Sequence, residues 1–401
     1  MKPGKKALYL SYDGLTDPLG QSQILPYLLG LEQLGWEFCV VSFEKPEAFQ
    51  RLKAQVEASI ATTKIHWLPL SYTKKPPVIS TVFDLWRMKR KARQLDLTQF
   101  SVIHCRSYLA MSVGVQLKQH QRLIFDMRGF WADERVEGHL WPQNSLIYRL
   151  IYRYFLRKEK DFLQRADAII SLTNDGLHAL EERYSTSFDQ RKATVIPCCV
   201  DTLRFAAKAT SISKEDLGFS EDARILIHVG SVGTWYRLDQ ELVFFKALKA
   251  VDSRWSFVIL TQDITTAKAL VGNTDLSKNY IVIKSVNYQE VPDYLNMAEA
   301  AVQFIEPSFA KRASSPVKFA EALAVGVPVI ANEGVGDVAA LLKEGQAGMM
   351  VPSWNDLEDL AQQWDHNRFD RSAIRDYAVR KFGLDVGVQR YYNVYNSTSH
   401  D

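Results

Sequence analysis

Short runs of β-branched, apolar and aromatic residues alternate along the chain with longer stretches whose apolar positions recur every three or four residues. The runs fall at 6–12 (KALYLSY), 37–43 (EFCVVSF), 64–69, 101–105 (SVIHC), 122–127 (RLIFDM), 167–172 and 193–197. A second series follows at 224–230 (RILIHVG), 255–261 (WSFVILT), 280–284, 299–305, 327–332 and 347–351. Apolar runs of this length between helical stretches predict the buried strands of parallel β-α-β sheets. The weakly patterned segment 198–222, beginning CCVDTLRF, separates the two series and predicts the domain join. The expected architecture is α/β: two Rossmann-like, doubly wound parallel-sheet domains, 1–200 and 201–381, facing a cleft, with ligands beyond the carboxyl ends of the strands. The last stretch, YAVRKFGLDVGVQRYYNVYN, has helical spacing broken by Gly383.

Composition agrees with two cores. At 401 residues, with 47% hydrophobic and 24% charged, the chain is long for one core. Net charge is only +3, which gives no argument for nucleic acid, but its distribution is uneven. Residues 1–200 carry 28 Lys and Arg against 20 Asp and Glu; residues 201–401 carry 21 against 26. A basic half suits an anionic surface or acceptor. The four cysteines, Cys39, Cys105, Cys198 and Cys199, show no C-x-x-C spacing and are expected as buried free thiols. No apolar run approaches the roughly 18 residues a membrane span needs, so a cytoplasmic protein is expected, with peripheral contact to the inner face of a membrane allowed.

Residues 314–332 read SSPVKFAEALAVGVPVIAN. The expected element is a helix with Ser315 as N-cap and Pro316 as first helical residue, ended by Gly326, with Pro328 preventing its resumption before a short strand. Open amides around Ser314, Ser315 and Pro316 to Lys318 are how proteins hold phosphate. Lys318 and Glu321, three apart, share a face and set a cation and a carboxylate at the site. A cation suits a diphosphate, and a carboxylate suits sugar hydroxyls.

The order SSP-x-K-x-x-E-A-L-A-x-G-x-PVIA resembles the donor-site motif of glycosyltransferase family 4, retaining nucleotide-sugar enzymes of the GT-B fold. The resemblance implies that Glu321, as second glutamate of an E-x7-E pair, holds the donor ribose. Ala313 stands where the first glutamate is expected. It also implies that the terminal residues 382–401 cross back to the first domain, that the first domain serves the acceptor, and that the second binds the nucleotide sugar, UDP- or GDP-linked. Residues 284–298 resemble the segment that borders the base, with backbone groups near Val286 to Tyr288 in position to read it.

Other constellations fill in the site. SYDGLTDPLGQSQIL after the first strand places Gly20 just before an expected helix start, where a ligand could approach the backbone. FDMRGFWADERVEG packs charges at a strand's carboxyl end. Asp126 and Arg128 are candidate sugar or acceptor contacts there, and Asp133 and Glu134 candidates for the acceptor hydroxyl. In HVGSVGTWYRLDQEL, Gly230 and Gly233 form an expected phosphate turn; Ser231 and Tyr236 stand where the family carries arginine and lysine. Arg237, Lys311 and Arg312 are the expected substitutes, beside Lys318. No D-x-D occurs, so neither metal nor cofactor is expected. The segment 146–163 reads as a basic amphipathic helix able to lie on anionic membrane or to pack plainly on the sheet. The implied activity is retaining transfer of a sugar to a hydroxyl on a glycan or lipid-linked acceptor, in bacterial surface polysaccharide or glycolipid synthesis. The alternatives are a GT-B nucleotide-sugar epimerase, an inverting transferase, or a catalytically silent glycan-binding subunit.

Overall fold

The computed structural model of the chain describes residues 4–76, 78–210 and 212–397. The chain divides into two units: one runs to Pro197 and resumes at Leu384, and the other is Cys198–Gly383. The extreme ends of the expected first domain, residues 1–3 and 398–401, lie outside the described residues.

The first unit is built on seven parallel strands, β1 (Lys6–Ser11), β2 (Glu37–Glu44), β3 (Ile65–Ser71), β4 (Val102–Arg106), β5 (Arg122–Asp126), β6 (Ala168–Ser171) and β7 (Ala193–Val195), in the order β3-β2-β1-β4-β5-β6-β7. The second has six, β8 (Arg224–Val229), β9 (Trp255–Leu260), β10 (Ile281–Lys284), β11 (Ala300–Gln303), β12 (Val329–Asn332) and β13 (Gly348–Val351), in the order β10-β9-β8-β11-β12-β13. Every expected strand forms. Their apolar runs are continuous because helices cover both faces, which leaves β9 buried along its whole length. Each sheet reverses its winding beside its first strand, at β1/β4 and at β8/β11, and that reversal opens a crevice at the strands' carboxyl ends.

Right-handed crossovers decide which face each helix takes. In the first unit the helices after β3, β4 and β5 (Ile79–Arg93, Ser107–Leu117 and Leu146–Arg165) lie side by side on one face, with Ser107–Leu117 packed against both of the others. The helix after β1, Leu25–Gln33, takes the opposite face and receives the returning helix Leu384–Asn396. Gly30 makes that contact possible, since a Cβ there would fall 2.5 Å from Val388 Cγ2. Val388 is β-branched and cannot swing clear. Gly30→Val should therefore cost about 1–3 kcal/mol, seen as a lower unfolding midpoint, and Val388→Ala in the same chain should recover part of it.

Candidate functional site

In the second unit, the chemistry gathers at the β8/β11 reversal. β8 leads into a turn with Gly230 and Gly233, both at positive φ (150° and 90°), and Thr234 follows at 50°. Side-chain-bearing residues rarely adopt such backbone, and it clusters where a chain approaches a ligand. The turn is pinned on three sides. The Val232 amide donates to Asp263 Oδ2 (2.9 Å), the Arg237 amide to the Phe304 carbonyl (2.9 Å), and the Glu306 amide to the Trp235 carbonyl (2.7 Å). Asn332 at the end of β12 secures the same segment, accepting from the Ile305 amide and donating to its carbonyl, both at 2.8 Å.

Onto this turn comes the stretch preceding the expected phosphate helix. Lys311, buried in the 3-10 turn Ala310–Ala313, places its ammonium 3.9 Å from the centre of the Trp235 ring. A cation thus reaches the end of the turn, while Ser231 within it is exposed. Arg312 lies over Phe309, 5.8 Å from the ring centre. Arg237 is held between Asp239 (2.7 Å) and Glu306 and stacks over Trp354, so a diphosphate would have to compete with two carboxylates for it.

The helix itself is Val317–Ala324, and its start corrects the expected cap. Pro316 is the N-cap, with extended ψ of 117°, and no side chain caps the first turn. Ser315 Oγ instead accepts from the Cys198 amide (3.1 Å). A proline disfavours helical geometry in the residue before it, which moves Ser315 out of the helical path. The opening amides of the helix, with no partner inside it, are left without a side-chain cap. One turn in, Glu321 is fully buried and both its oxygens are engaged: Oε1 accepts from the Tyr288 hydroxyl (2.8 Å), and Oε2 lies 2.7 Å from Lys318 Nζ. Burial, and then the neighbouring carboxylate, push the Tyr288 phenol well above its usual range, which keeps it a donor. Lys318 also lies 4.9 Å from the Tyr288 ring centre, and Arg204 crosses the same ring at 5.5 Å. Lys318 shares a small cavity with Val229 and Gln303, which joins the helix to the β8/β11 reversal. Tyr288 was assigned only through its backbone; its side-chain role has no local signature.

Behind the turn, His228 on β8 is buried with Nδ1 2.8 Å from Glu241. Burial lowers its basicity, but the adjacent carboxylate outweighs burial and holds the imidazole above its ordinary value.

In the first unit, the expected groups do come to the strands' carboxyl ends, with Asp126 and Asp133 in the interior and Glu134 at the surface. Gly20 lies inside the helix Pro18–Gln23 rather than ahead of it, and a Cβ there would meet the Gly14 carbonyl oxygen at 1.9 Å. The missing side chain lets the helix pack directly on the Gly14–Leu15 backbone. The amides of Leu15 and Thr16 are taken by Glu44 (2.9 and 3.0 Å), which the sequence reading missed.

Asp126 is wholly buried. Its Oδ2 accepts from the Tyr391 hydroxyl (2.9 Å) and lies 3.4 Å from His104 Nε2 and 3.9 Å from Arg106, while Arg128 sits 3.8 Å from Oδ1. Tyr395 meets the other ring nitrogen of His104 at 2.9 Å. Arg128 and Gly129 both take positive φ, which folds the loop back over the carboxylate. Asp133 is also interior: Arg183 grips both its oxygens at 2.8 Å and Tyr152 donates at 2.9 Å, in a network with Glu159, Tyr108 and Tyr184. Of the four expected groups, Glu134 alone is exposed. Asp126 and Asp133 were named from charge density at a strand end; apart from Arg128, their partners lie about 20 to 265 residues away and have no local signal.

Burial alone would raise the Asp126 carboxyl, but Arg128, His104 and Arg106 overcome it and lower the group to about 2. A depressed carboxyl stabilises the folded state fully above its unfolded value of about 3.9 and loses that stabilisation as pH falls through 2. Acid titration of unfolding free energy should show a loss of about 2 kcal/mol from this group between pH 4 and 2. Asp126→Asn should be less stable at neutral pH and flatter across that window.

Among the described residues no three His, Cys, Asp or Glu side chains converge as a metal site, and no helix is long and apolar enough to cross a membrane. All four cysteines are buried, and none is in a disulfide.

Two family models match in tandem: Glycosyltransferase Family 4 over residues 27–204, and Glycosyl transferases group 1 over residues 210–381. No curated protein matches the sequence. Among solved structures, the chain is similar to Anabaena HepE in complex with UDP-glucose, with a TM-score of 0.71 at 15% identity over 98% of this chain and 100% of that one. Sucrose-phosphate synthase from Thermosynechococcus elongatus gives 0.70 at 17% identity, over 97% and 98%. WaaG, a glycosyltransferase involved in lipopolysaccharide biosynthesis, gives 0.65 at 12% identity, over 98% and 100%.

Proposed function

Because the chain belongs to glycosyltransferase family 4 and has the two Rossmann-like domains of the GT-B fold, we propose that it moves a sugar from a nucleotide diphosphate sugar to a hydroxyl acceptor with retention at the anomeric carbon. One observation carries this reading: the helix Val317–Ala324 begins without a side-chain cap, Lys318 lies in its first turn, Lys311 lies just before it against the Gly230–Gly233 turn, and Glu321 is fixed one turn below. Helix-end amides and two ammonium groups are a diphosphate site, and they would stabilise the charge that builds on the leaving group. The buried carboxylate beneath suits the ribose, whose hydroxyls would replace Tyr288 or Lys318 as its partners. The UDP-glucose complex of the similar HepE structure supports a nucleotide-sugar donor; UDP- and GDP-sugars are the donors to test first.

In this reading the second unit holds the donor and the first the acceptor. Retention without a protein nucleophile follows a same-face path in which the departing phosphate oxygen takes the acceptor proton. The setting is bacterial surface polysaccharide or glycolipid synthesis, with a glycan or lipid-linked acceptor. Membrane contact runs through Leu146–Arg165, whose first turns expose Leu146, Ile147, Leu150 and Tyr154 beside exposed Arg149, Arg153 and Arg157.

Glu321→Gln keeps the shape of the site and removes the charge facing Lys318 and the ribose. Donor affinity in calorimetry should fall by roughly 1.5–3 kcal/mol; unchanged affinity would put the ribose elsewhere. Lys311 and Lys318 supply the positive charge that a bridging metal would otherwise bring, so turnover should survive EDTA. Activity abolished by chelation and restored by magnesium or manganese would refute the metal-independent reaction.

A further inference from the structure

Sixteen large apolar side chains stand exposed among the described residues, and ten of them belong to two helices of the first unit and the segments leading into them. One helix is Leu146–Arg165. The other, Ile79–Arg93, formed no part of the sequence-based reading. Its outward face carries Ile79, Val82, Phe83 and Trp86, each about half to two thirds exposed, at the i, i+3, i+4, i+7 spacing of one continuous stripe. Arg90 and Arg93 continue that stripe, and Lys75 precedes it, all exposed.

Charge on this helix is sorted by side. Asp84, its sole acid, is turned inward, where it accepts from the Thr73 amide and hydroxyl and from the Tyr12 hydroxyl. The outward face is therefore apolar and cationic with no acid. Leu146–Arg165 is sorted in the same way: Glu159 is buried, and Asp161 is paired with Arg165 at 2.6 Å. Both helices lie on the same face of the first sheet, one on each side of Ser107–Leu117. Ile79–Arg93 follows β3 and Leu146–Arg165 leads back into β6, so the apolar first turns of both stand at the carboxyl-end edge of the sheet. Phe83 and Trp86 lie in ring contact at 5.9 Å, with Arg87 over the first at 5.6 Å and Arg90 over the second at 5.4 Å. Aromatic and basic groups on one face are the chemistry of the zone between lipid headgroups and chains.

We infer that Ile79–Arg93 is a second membrane-docking helix, which with Leu146–Arg165 seats the carboxyl-end edge of the first unit on an anionic bilayer. The inference rests on the proposed membrane contact of Leu146–Arg165 and adds a second point. One helix would leave the unit free to roll about its axis, whereas two fix which edge meets the lipid and bring that edge to a lipid-linked acceptor.

The test uses the full chain with vesicles of phosphatidylglycerol and phosphatidylcholine at low salt. Phe83→Ser with Trp86→Ser should lower vesicle partitioning roughly tenfold while leaving the unfolding midpoint unchanged, because both side chains already face water. Brominated lipid should quench wild-type tryptophan fluorescence more than that of Trp86→Phe, a change that keeps the apolar face and removes only the reporter. Charge reversal at Arg149, Arg153 and Arg157 should weaken binding independently. If that reversal abolishes binding while the Phe83 and Trp86 variants partition and quench like wild type, the second helix is refuted and the first contact stands. If wild-type protein ignores the vesicles, both fall. A concentration-dependent dimer that the double serine variant dissolves would make this face an interface between copies and overturn the inference.

Discussion

A carboxylate removed from water must find its compensation inside the protein, and Asp126 organises the first unit around that requirement. Its countercharges come from β4 and the loop after β5, and its firmest hydrogen bond comes from Tyr391 on the returning helix. Desolvation of an unpaired carboxylate costs several kcal/mol, so the loop after β5, the terminal helix and the arginine of β4 are held to one another. The same loop leads directly into Trp131–Glu137, the short helix that carries Asp133 and Glu134. The charge cluster that the sequence places at a strand end is, in three dimensions, also the fastening that gives the strand ends their shape.

The second unit uses its buried carboxylates with different partners. Glu241 accepts from the Phe304 amide and lies against His228, bracing the floor of the Gly230–Gly233 turn from behind. Glu321 is held by a phenol and an ammonium, donors whose places a ligand's hydroxyls can take. The contrast is chemical: the partners of Asp126 are wholly or nearly buried, whereas Lys318 keeps about 29% of its side chain in contact with solvent. A group that must exchange partners needs at least one that can leave.

The sheets were legible because each strand is a continuous apolar run whose length and composition need no distant information. The parallel order followed from the alternation with helices. The helix Val317–Ala324 was legible to within two residues, and the error at Ser315 has a local cause in the proline that follows it. Gly20 was misread because the space it yields is taken by Gly14, a neighbour visible only once the loop closes. Asp126 with Tyr391, Asp133 with Arg183 and Lys311 with Trp235 join residues far apart in sequence, and no periodicity records such pairs. The apolar stripe of Ile79–Arg93 is different again: its spacing is plain in the sequence, but which side of the helix meets water is a property of the packed layer.

The path of the chain has a consequence for how the protein is made. Synthesis runs from the amino terminus, so all seven strands of the first sheet leave the ribosome before any of the second unit does. Tyr391, Tyr395 and Val388 follow only after the whole of Cys198–Gly383. Until then Asp126 and His104 lack their phenolic partners, and the groove at Gly30 stands open. The unit made first is thus the unit finished last. A chain interrupted within Leu384–Asn396 would keep every residue of Cys198–Gly383 and leave Asp126 and His104 without the Tyr391 and Tyr395 hydroxyls.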